Sequence, residues 1–452
     1  MPALIWLFAA LILVLGCDGS SPPARPDLLL ITLDTLRADH LGAYGAPAGS
    51  TPELDRLAEH SVVFERMLAA SSRTAPSHAS IFSSRFAHAH SVGFANGSTR
   101  LADGATLASR LAQAGYETAA FVSNSMLKRR IGLDQGFAHY DDALPDSEAN
   151  RPVFERVAVK TTASALAWLA EPRARPRFLW VHYNDPHGPY TPPPEFVKPE
   201  ALSTPESESE SALPALAIER GLGGIPAYQV IGGERDPGQY RARYAGEIRY
   251  LDASIGRLLE SFLASAADVG AVVAVTADHG EALGEEGLYF SHGFGTAPNL
   301  AHVPFVLFAD GLAPRRVAGL VHHVDILPTL IEAAGLPIPE GLDGVTLFGI
   351  ARGEGSPPAD RALFVDVGEE VSVYRGEIFV RARFGPDLGG VTAGSRRAHR
   401  WLSAESWPVG AREPSLERLV DDYAGKRVPL LAAPPLEEED AERLRALGYA
   451  VP

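Results

Sequence analysis

Leu28-Leu29-Leu30-Ile31-Thr32-Leu33-Asp34-Thr35 decides the reading of this chain: a nearly unbroken apolar run that stops on a carboxylate. Apolar sequence without polar alternation is the pattern of a strand buried on both faces, as in a parallel sheet with helices above and below. The pattern recurs at 118–122, 178–182, 271–276 and 305–308. Helical segments lie between these runs. Thr51-Pro52-Glu53 supplies an N-cap, a first-turn proline and an acidic first turn ahead of Leu54 and Leu57. Residues 105–114 close on Gly115, 247–263 have helical periodicity, and 326–334 stop at Gly335. The alternation predicts an α/β fold, a large mostly parallel sheet sandwiched by helices.

The 452 residues exceed one ordinary domain and divide into a large domain at 27–350 and a smaller C-terminal α+β subdomain at 351–452. The second part has shorter strands and ends in an amphipathic helix, 437–447, followed by Gly448. Residues 198–238 break the alternation with an acidic serine-rich run, 203–211, and then glycine-rich sequence. They read as an inserted surface loop, in part disordered. A net charge of −16 with no basic stripe excludes nucleic acid as a partner. A bound cation can still set the local field for an anionic substrate. Cys17 is the single cysteine, so neither an internal disulfide nor a cysteine zinc site can form. The apolar residues 3–15 are too few to span a bilayer and suit a signal peptide at 1–16. Gly16-Cys17 resembles a lipoprotein cleavage site, which makes 17–26 a Ser/Pro-rich tether and Cys17 a lipidated membrane anchor. The chain is expected to be exported to a bacterial periplasm or cell surface.

Ligands of open α/β sheets gather beyond the carboxyl ends of the strands, and two such ends carry chemistry. The first run leads into Asp34-Thr35, and that at 271–276 into Asp278-His279-Gly280-Glu281. Taken singly, a strand-end aspartate caps the helix that follows. Two of them, one followed by His-Gly, point instead to one divalent metal ion held by Asp34, Asp278 and His279. Two oxygens and a nitrogen favour Zn²⁺ or Mn²⁺ over Ca²⁺ or Mg²⁺, which the set could also accept. Thr74-Ala75-Pro76-Ser77-His78 reads as a turn running into a helix, with Thr74 at the helix N-terminus, where N–H groups and the dipole favour an anion. A threonine hydroxyl becomes a useful nucleophile when a metal lowers its pKa. Thr74 is therefore expected as fourth metal ligand and attacking group.

With these residues in place the chain resembles the sulfatase family of the alkaline phosphatase superfamily over about residues 26–347. Residues 30–42 are similar to the family's first metal-binding strand and 278–285 to its second. Asn184-Asp185-Pro186-His187 looks like its substrate-histidine segment, and 324–330 like a structural hallmark. The resemblance implies an alkaline-phosphatase/sulfatase-like fold and hydrolysis of a phosphate or sulfate ester. It implies His187 and His292 as catalytic residues near the leaving group, either of which could instead bind a second metal with Asp185, and His78 and Asp185 as substrate contacts. Sulfatases convert a Cys or Ser in a C/S-x-P-x-R pattern to formylglycine; here Thr74 and His78 hold the first and last positions, so no formylglycine is expected. Thr35 stands where the family has a second acidic ligand, and the lysine expected near His292-Gly293-Phe294 is missing. These departures resemble the threonine-nucleophile relatives: nucleotide phosphodiesterases, phosphoethanolamine transferases and lipoteichoic acid synthases. Two alternatives follow, a transferase moving a phospho-headgroup onto a cell-surface glycan or lipid, and a non-catalytic binding protein that kept the fold. Lys128 and Arg129 read as solvated surface charge, and His40, His302, His322 and His323 as structural.

Overall fold

The computed structural model describes residues 25–94, 98–147, 153–197, 212–217, 220–384, 396–401, 406–408 and 413–446. The signal peptide, Cys17, most of the tether, the run at 203–211 and Gly448 lie outside the described residues. The main strands are β1 (Asp27–Leu33), β2 (Val62–Leu68), β3 (Glu117–Phe121), β4 (His139–Asp141), β5 (Arg177–Tyr183) and β6 (Ala271–Ala277). After them β7 (Ala282–Leu283) and β8 (Tyr289–Ser291) form a hairpin, and β9 (His302–Ala309) and β10 (Arg315–His322) return to the sheet. The sheet order is β10-β2-β9-β6-β1-β5-β3-β4, and among the described residues only β9 runs against its neighbours.

The three central strands β6, β1 and β5 are buried along their whole length, as their apolar runs require. Helices cover both faces. α1 (Pro52–Glu59), α4 (Ala158–Leu169) and α5 (Pro237–Ser265) pack together, while α2 (Thr74–Ser83), α3 (Leu107–Gln113) and α6 (Ile326–Ala333) form a second group. The expected strands and helices are all present, with ends shifted by a few residues except at the start of α5. Those that the apolar runs miss are β2, β4 and β10. β10 and β4 are sheet edges, and β10 exposes Arg315 and Arg316, so neither gives a continuous run. β2 carries Glu65-Arg66 half-buried in its middle.

Three sequence readings are corrected here. Helix α5 starts at Pro237, ten residues before the expected start, because Asp236 caps it by accepting the Gly238 N–H at 2.9 Å. The proposed insert is also not wholly a surface loop. Ile225 and Gln229 within it are fully buried, and Gln229 donates to the Phe290 carbonyl on β8 at 3.1 Å. Lys128 is likewise not a solvated charge. It is buried and ion-paired with Asp440 on the C-terminal helix (Glu438–Ala446), whereas Arg129 pairs with Asp142 at the surface.

The C-terminal part is a five-stranded antiparallel meander, β11 (Leu363–Asp366), β12 (Glu370–Arg375), β13 (Ile378–Arg383), β14 (Arg397–Trp401) and β15 (Ser406–Pro408), with α7 (Pro414–Ala424) packed against it. Val365, Val371, Val373, Phe379 and Val420 lie in an apolar cluster that also takes in Leu68, Phe86 and Leu320 of the larger part.

Leu30 sits at the middle of β1 with no exposed surface. Leu30→Ala is expected to lower unfolding free energy by about 2–5 kcal/mol, read from urea denaturation followed by circular dichroism; a loss below about 1 kcal/mol would mean that the central sheet is not tightly packed there.

Candidate active site

Strand register builds the floor of the site. Leu33 of β1 pairs with Ala277 of β6 and with Tyr183 of β5, so Asp34, Asp278 and Asn184 leave adjacent strands at one level. The ladder continues one step further, with Asp278 N–H donating to the Leu33 carbonyl at 3.1 Å and Asp34 N–H to the Tyr183 carbonyl at 3.0 Å. Side chains alternate along a strand, so Thr32 shares the face of Asp34, and His182 that of Asn184. Thr35 then turns the chain at φ 59°, a left-handed conformation uncommon for threonine. It is held there by its N–H on Asp278 Oδ1 at 3.2 Å and by the Tyr244 hydroxyl on its carbonyl at 2.8 Å. Gly280 follows from crowding: a Cβ there would fall 2.1 Å from the Asn299 carbonyl oxygen.

Asp34, Asp278 and His279 are fully buried, and their ligand atoms lie within 4.8 Å of one another. Asp278 shows why it is more than a cap. Its Oδ1 takes the Thr35 and His279 N–H groups, while its buried Oδ2 has no hydrogen-bond partner. The carbonyl of Gly280, 3.0 Å from His279 Nδ1, can only accept, so that nitrogen carries the proton and Nε2 keeps its lone pair. His279 Nε2 lies 3.5 Å from Asp278 Oδ2, 3.7 Å from Asp34 Oδ1 and 3.5 Å from the Thr74 hydroxyl oxygen. Donors around a tetrahedral ion with bonds of about 2.0–2.2 Å stand about 3.3–3.6 Å apart, so the cluster has the size of a metal site. Burial first, and then the Asp34 carboxylate, pushes the Asp278 carboxyl up. Two carboxylates so close and so dry need a positive charge between them. Asn124 donates to Asp34 Oδ2 at 2.9 Å and to Asn184 Oδ1 at 2.9 Å, fixing the outer side of the cluster.

Thr74 is the first residue of α2, with Arg73 as N-cap, and is 7% exposed. His78, one turn on, lies behind it and has no exposed surface. Its ring nitrogens reach the Thr74 carbonyl at 2.8 Å and the Thr32 hydroxyl at 3.0 Å, and burial pushes the imidazole down to about 3. The expected substrate contact for His78 thus meets a ring directed into the protein. His182 is placed similarly. Its Nδ1 faces the Ser123 N–H at 3.4 Å and its Nε2 stands 3.6 Å from Asp34 Oδ2. His302, His322 and His323 spend ring nitrogens on backbone groups, as structural residues do.

One wall comes from the β7–β8 hairpin. His292 packs over His279 with ring centroids 4.6 Å apart and meets His187 edge-on at 5.0 Å. Its Nδ1 is 3.4 Å from both oxygens of Glu281, which is fully buried, takes the Tyr190 hydroxyl at 3.0 Å, and is pushed up to about 7 by burial. The C-terminal subdomain grips this wall from outside. Glu370 accepts from the N–H and hydroxyl of Thr296 at 3.0 and 2.8 Å, and Arg381 holds Glu286 in a two-pronged pair at 2.8 and 3.0 Å.

The Sulfatase family profile matches residues 26–336. The chain belongs to the sulfatase family. It is similar to the delta 4,5-hexuronate-2-O-sulfatase of Bacteroides thetaiotaomicron, 25% identical over 360 residues that cover 73% of this chain and 72% of that one. It is similar to the iduronate 2-sulfatase of Mus musculus, 27% identical over 428 residues and 75% of each chain. Among solved structures, the phosphonate monoester hydrolase of Agrobacterium radiobacter shares the fold with a TM-score of 0.62 at 21% identity, covering 94% of this chain and 95% of that one. A structure in complex with its substrate D-glucosamine-2-N,6-O-disulfate gives a TM-score of 0.69 at 18% identity, covering 89% and 98%. By family and relatives the chain is a sulfatase-like ester hydrolase.

In this sulfatase-family site, Asp34, Thr74, Asp278, His279, His187 and His292 come together as the sequence suggests. Asp185 does not face them. It is buried beside Glu247 of α5, and Glu247 accepts the Thr191 N–H at 2.6 Å. Asn124, His182, Asn184 and Glu281 line or brace the cluster and were assigned no role by sequence reading. His182 and Asn184 were findable, because two-residue alternation at the end of the third buried strand puts both on one face, across from Thr32 and Asp34. Asn124 carries no such signal, since a loop beyond β3 brings it in.

Burial, and then the neighbouring carboxyl in the case of Glu247, pushes both Asp185 and Glu247 above the ordinary carboxyl range. Unfolded, both ionise near about pH 4. The fold therefore holds more protons than the unfolded chain above that value, and stability falls as pH rises through the raised pKa values. Glu247→Gln keeps an acceptor for Thr191 and a donor for Asp185 while removing one titration. Its melting temperature should exceed wild type at about pH 8 and by less, or not at all, at about pH 5; an equal offset at both would contradict the shared burial of the pair.

Proposed function

We propose that this chain is a metal-dependent hydrolase that cleaves a phosphate or sulfate ester by attack of Thr74. The observation that carries the reading is the meeting of Asp34 Oδ1, Asp278 Oδ2 and the Thr74 hydroxyl around His279 Nε2, at 3.7, 3.5 and 3.5 Å. A divalent cation held by these groups would lower the Thr74 pKa and draw charge from the ester's non-bridging oxygen. Zn²⁺ or Mn²⁺ suits the mixed nitrogen and oxygen set best.

The protein's own residues divide the remaining work. The N–H groups at the start of α2 face the anion. The Thr74 hydroxyl first loses its proton to solvent, and its oxygen then forms a bond to phosphorus or sulfur as the ester oxygen's bond breaks on the opposite side. His292, oriented by Glu281, gives its proton to the departing alkoxide. Water then attacks the Thr74 ester, His292 takes the water's proton, and the Thr74 oxygen leaves. His187 packs edge-on against His292 and limits its tilt. The relatives named for hexuronate and iduronate 2-sulfates support a sugar-borne ester, including a cell-surface glycan, as the first substrate class to test. Thr74 where a formylglycine precursor would stand favours phosphorus esters within the pair. Export and lipidation at Cys17 would place the enzyme at such a surface. No helix among the described residues is long and apolar enough to cross a membrane.

Purified signal-free protein is expected to hydrolyse at least one of four aryl esters (phosphate monoester, phosphate diester, phosphonate, sulfate) when Mn²⁺ or Zn²⁺ is supplied, and to lose that turnover with a chelator. Thr74→Ala and Asp278→Ala should each lower kcat by at least about 10³-fold. Turnover of every ester at wild-type rate in both variants would sink the proposal, and turnover of the sulfate alone would remove the phosphorus preference. Metabolic labelling with a radioactive fatty acid tests the anchor: label in the full chain and none in Cys17→Ala is the expected result.

A further inference from the structure

We propose that His78 is a positioning residue for Thr74, acting through a buried hydrogen-bond chain that runs from Trp180 through Thr32 and the His78 ring to the Thr74 carbonyl. The inference rests on the reading of Thr74 as nucleophile. Its basis is that the links at the two ends of the chain each have one possible direction. The Trp180 indole N–H can only donate, and does so to Thr32 Oγ1 at 2.9 Å. Thr32 Oγ1 keeps its own proton and a second lone pair, and it meets His78 Nε2 at 3.0 Å. His78 Nδ1 carries the ring proton, since the Thr74 carbonyl at 2.8 Å can only accept it. The Thr74 carbonyl thus fixes the tautomer of the neutral ring, leaving the lone pair on Nε2 to accept the Thr32 hydroxyl proton.

The chain connects the parts that have to stay in register. Thr32 lies on β1, two residues before Asp34 and on the same face, and Trp180 lies on β5. His78 and Thr74 lie on α2, so the chain ties the nucleophile's helix to the strand that delivers a carboxylate of the cluster. Trp180, Thr32 and His78 have no exposed surface, so water does not compete for these bonds. A rival role is ligation, because His78, His182 and Asp278 also offer atoms within 4.8 Å of one another. The committed Nδ1 proton argues against it: that nitrogen is 3.9 Å from Asp278 Oδ2 and has no lone pair to give. Another rival is space filling, which an apolar residue of similar volume would satisfy.

The two rivals and the proposal separate in kinetics. An asparagine amide nitrogen occupies nearly the place of an imidazole Nδ1, whereas a glutamine reproduces the Nε2 side. With the best ester of the panel, His78→Asn should keep kcat within about tenfold of wild type. His78→Gln and His78→Leu should lose about 10²-fold in kcat, the scale of a small misplacement of a reacting group. KM and metal content by mass spectrometry should stay at wild-type values throughout, and Thr32→Val should fall between. Wild-type kcat in His78→Leu or His78→Gln overturns the proposal in favour of space filling. Equal losses in His78→Asn and His78→Gln overturn it as well, and loss of metal in step with kcat shows ligation instead. Should His78→Leu not fold, the Asn and Gln variants carry the comparison alone. Thr74→Ala separates the two levels: full turnover there removes the nucleophile reading and this one with it, whereas loss there beside an unaffected His78→Gln removes this one only.

Discussion

Two carboxylates, Asp34 and Asp278, are forced side by side in a dry space because β1 and β6 pair in parallel with Leu33 against Ala277. The strands have no freedom in this. Their apolar runs bury both faces, and a one-residue slip would turn Thr32 and Asp34 to the opposite face of the sheet. The electrostatic cost of that placement organises what surrounds it. Asn124 neutralises one Asp34 oxygen by hydrogen bonding, two backbone N–H groups satisfy one Asp278 oxygen, and the imidazole of His279 turns its lone pair inward. What these partners leave is a negative pocket with the spacing of a metal site. The left-handed turn at Thr35 and the closeness that demands Gly280 are local strains maintained by this arrangement.

Support for the site divides along the layers of the fold. The floor is braced from within the sheet, by residues on β1 and β5 that have no contact with solvent. The wall carrying His292 is braced from outside, by the hairpin, the packed part of the insert and the C-terminal meander through Glu370 and Arg381. Changes in the second set would reshape the opening while the first set stays unchanged. Such a division suits a family fold that hosts many substrates, because the fold fixes the reaction's geometry and the surrounding loops fix what is admitted.

The floor was legible in the sequence because burial and chirality leave few ways to read it. An apolar run ending in Asp, and another ending in Asp-His-Gly, can meet in a parallel sheet only at their carboxyl ends. The central strands, the helix at 326–333 and the placement of Thr74 at a helix start follow from the same local rules. Edge strands β4 and β10 were not legible, since half-solvated strands do not produce unbroken runs. The start of α5 was hidden inside glycine-rich sequence, although Asp236-Pro237 is itself a helix start. Lys128 was misjudged because its partner Asp440 is more than three hundred residues away. His78 and Asp185 show a different limit. Motif position put both near a substrate, whereas their surroundings were unknowable without the packing of α2 on β1 and of α5 on the loop after β5.

Threonine at position 74 suits the chemistry for a reason tied to its place in the helix. Inside a helix a threonine hydroxyl tends to bond the carbonyl three or four residues back, which would divert it from any reaction. As the first residue of α2, Thr74 has no such carbonyl in its own helix, and its hydroxyl lies toward His279 instead. The branched side chain limits rotation about χ1, so less ordering remains to be done during attack. In the proposed reaction a threonine ester would have to be resolved by water, arriving from the open side. There the base must stand in place without help from the floor, and the hold of Glu281 on His292 together with the grip of Glu370 on Thr296 supplies that order. On this reading the C-terminal subdomain serves the second half of the reaction as much as the stability of the fold.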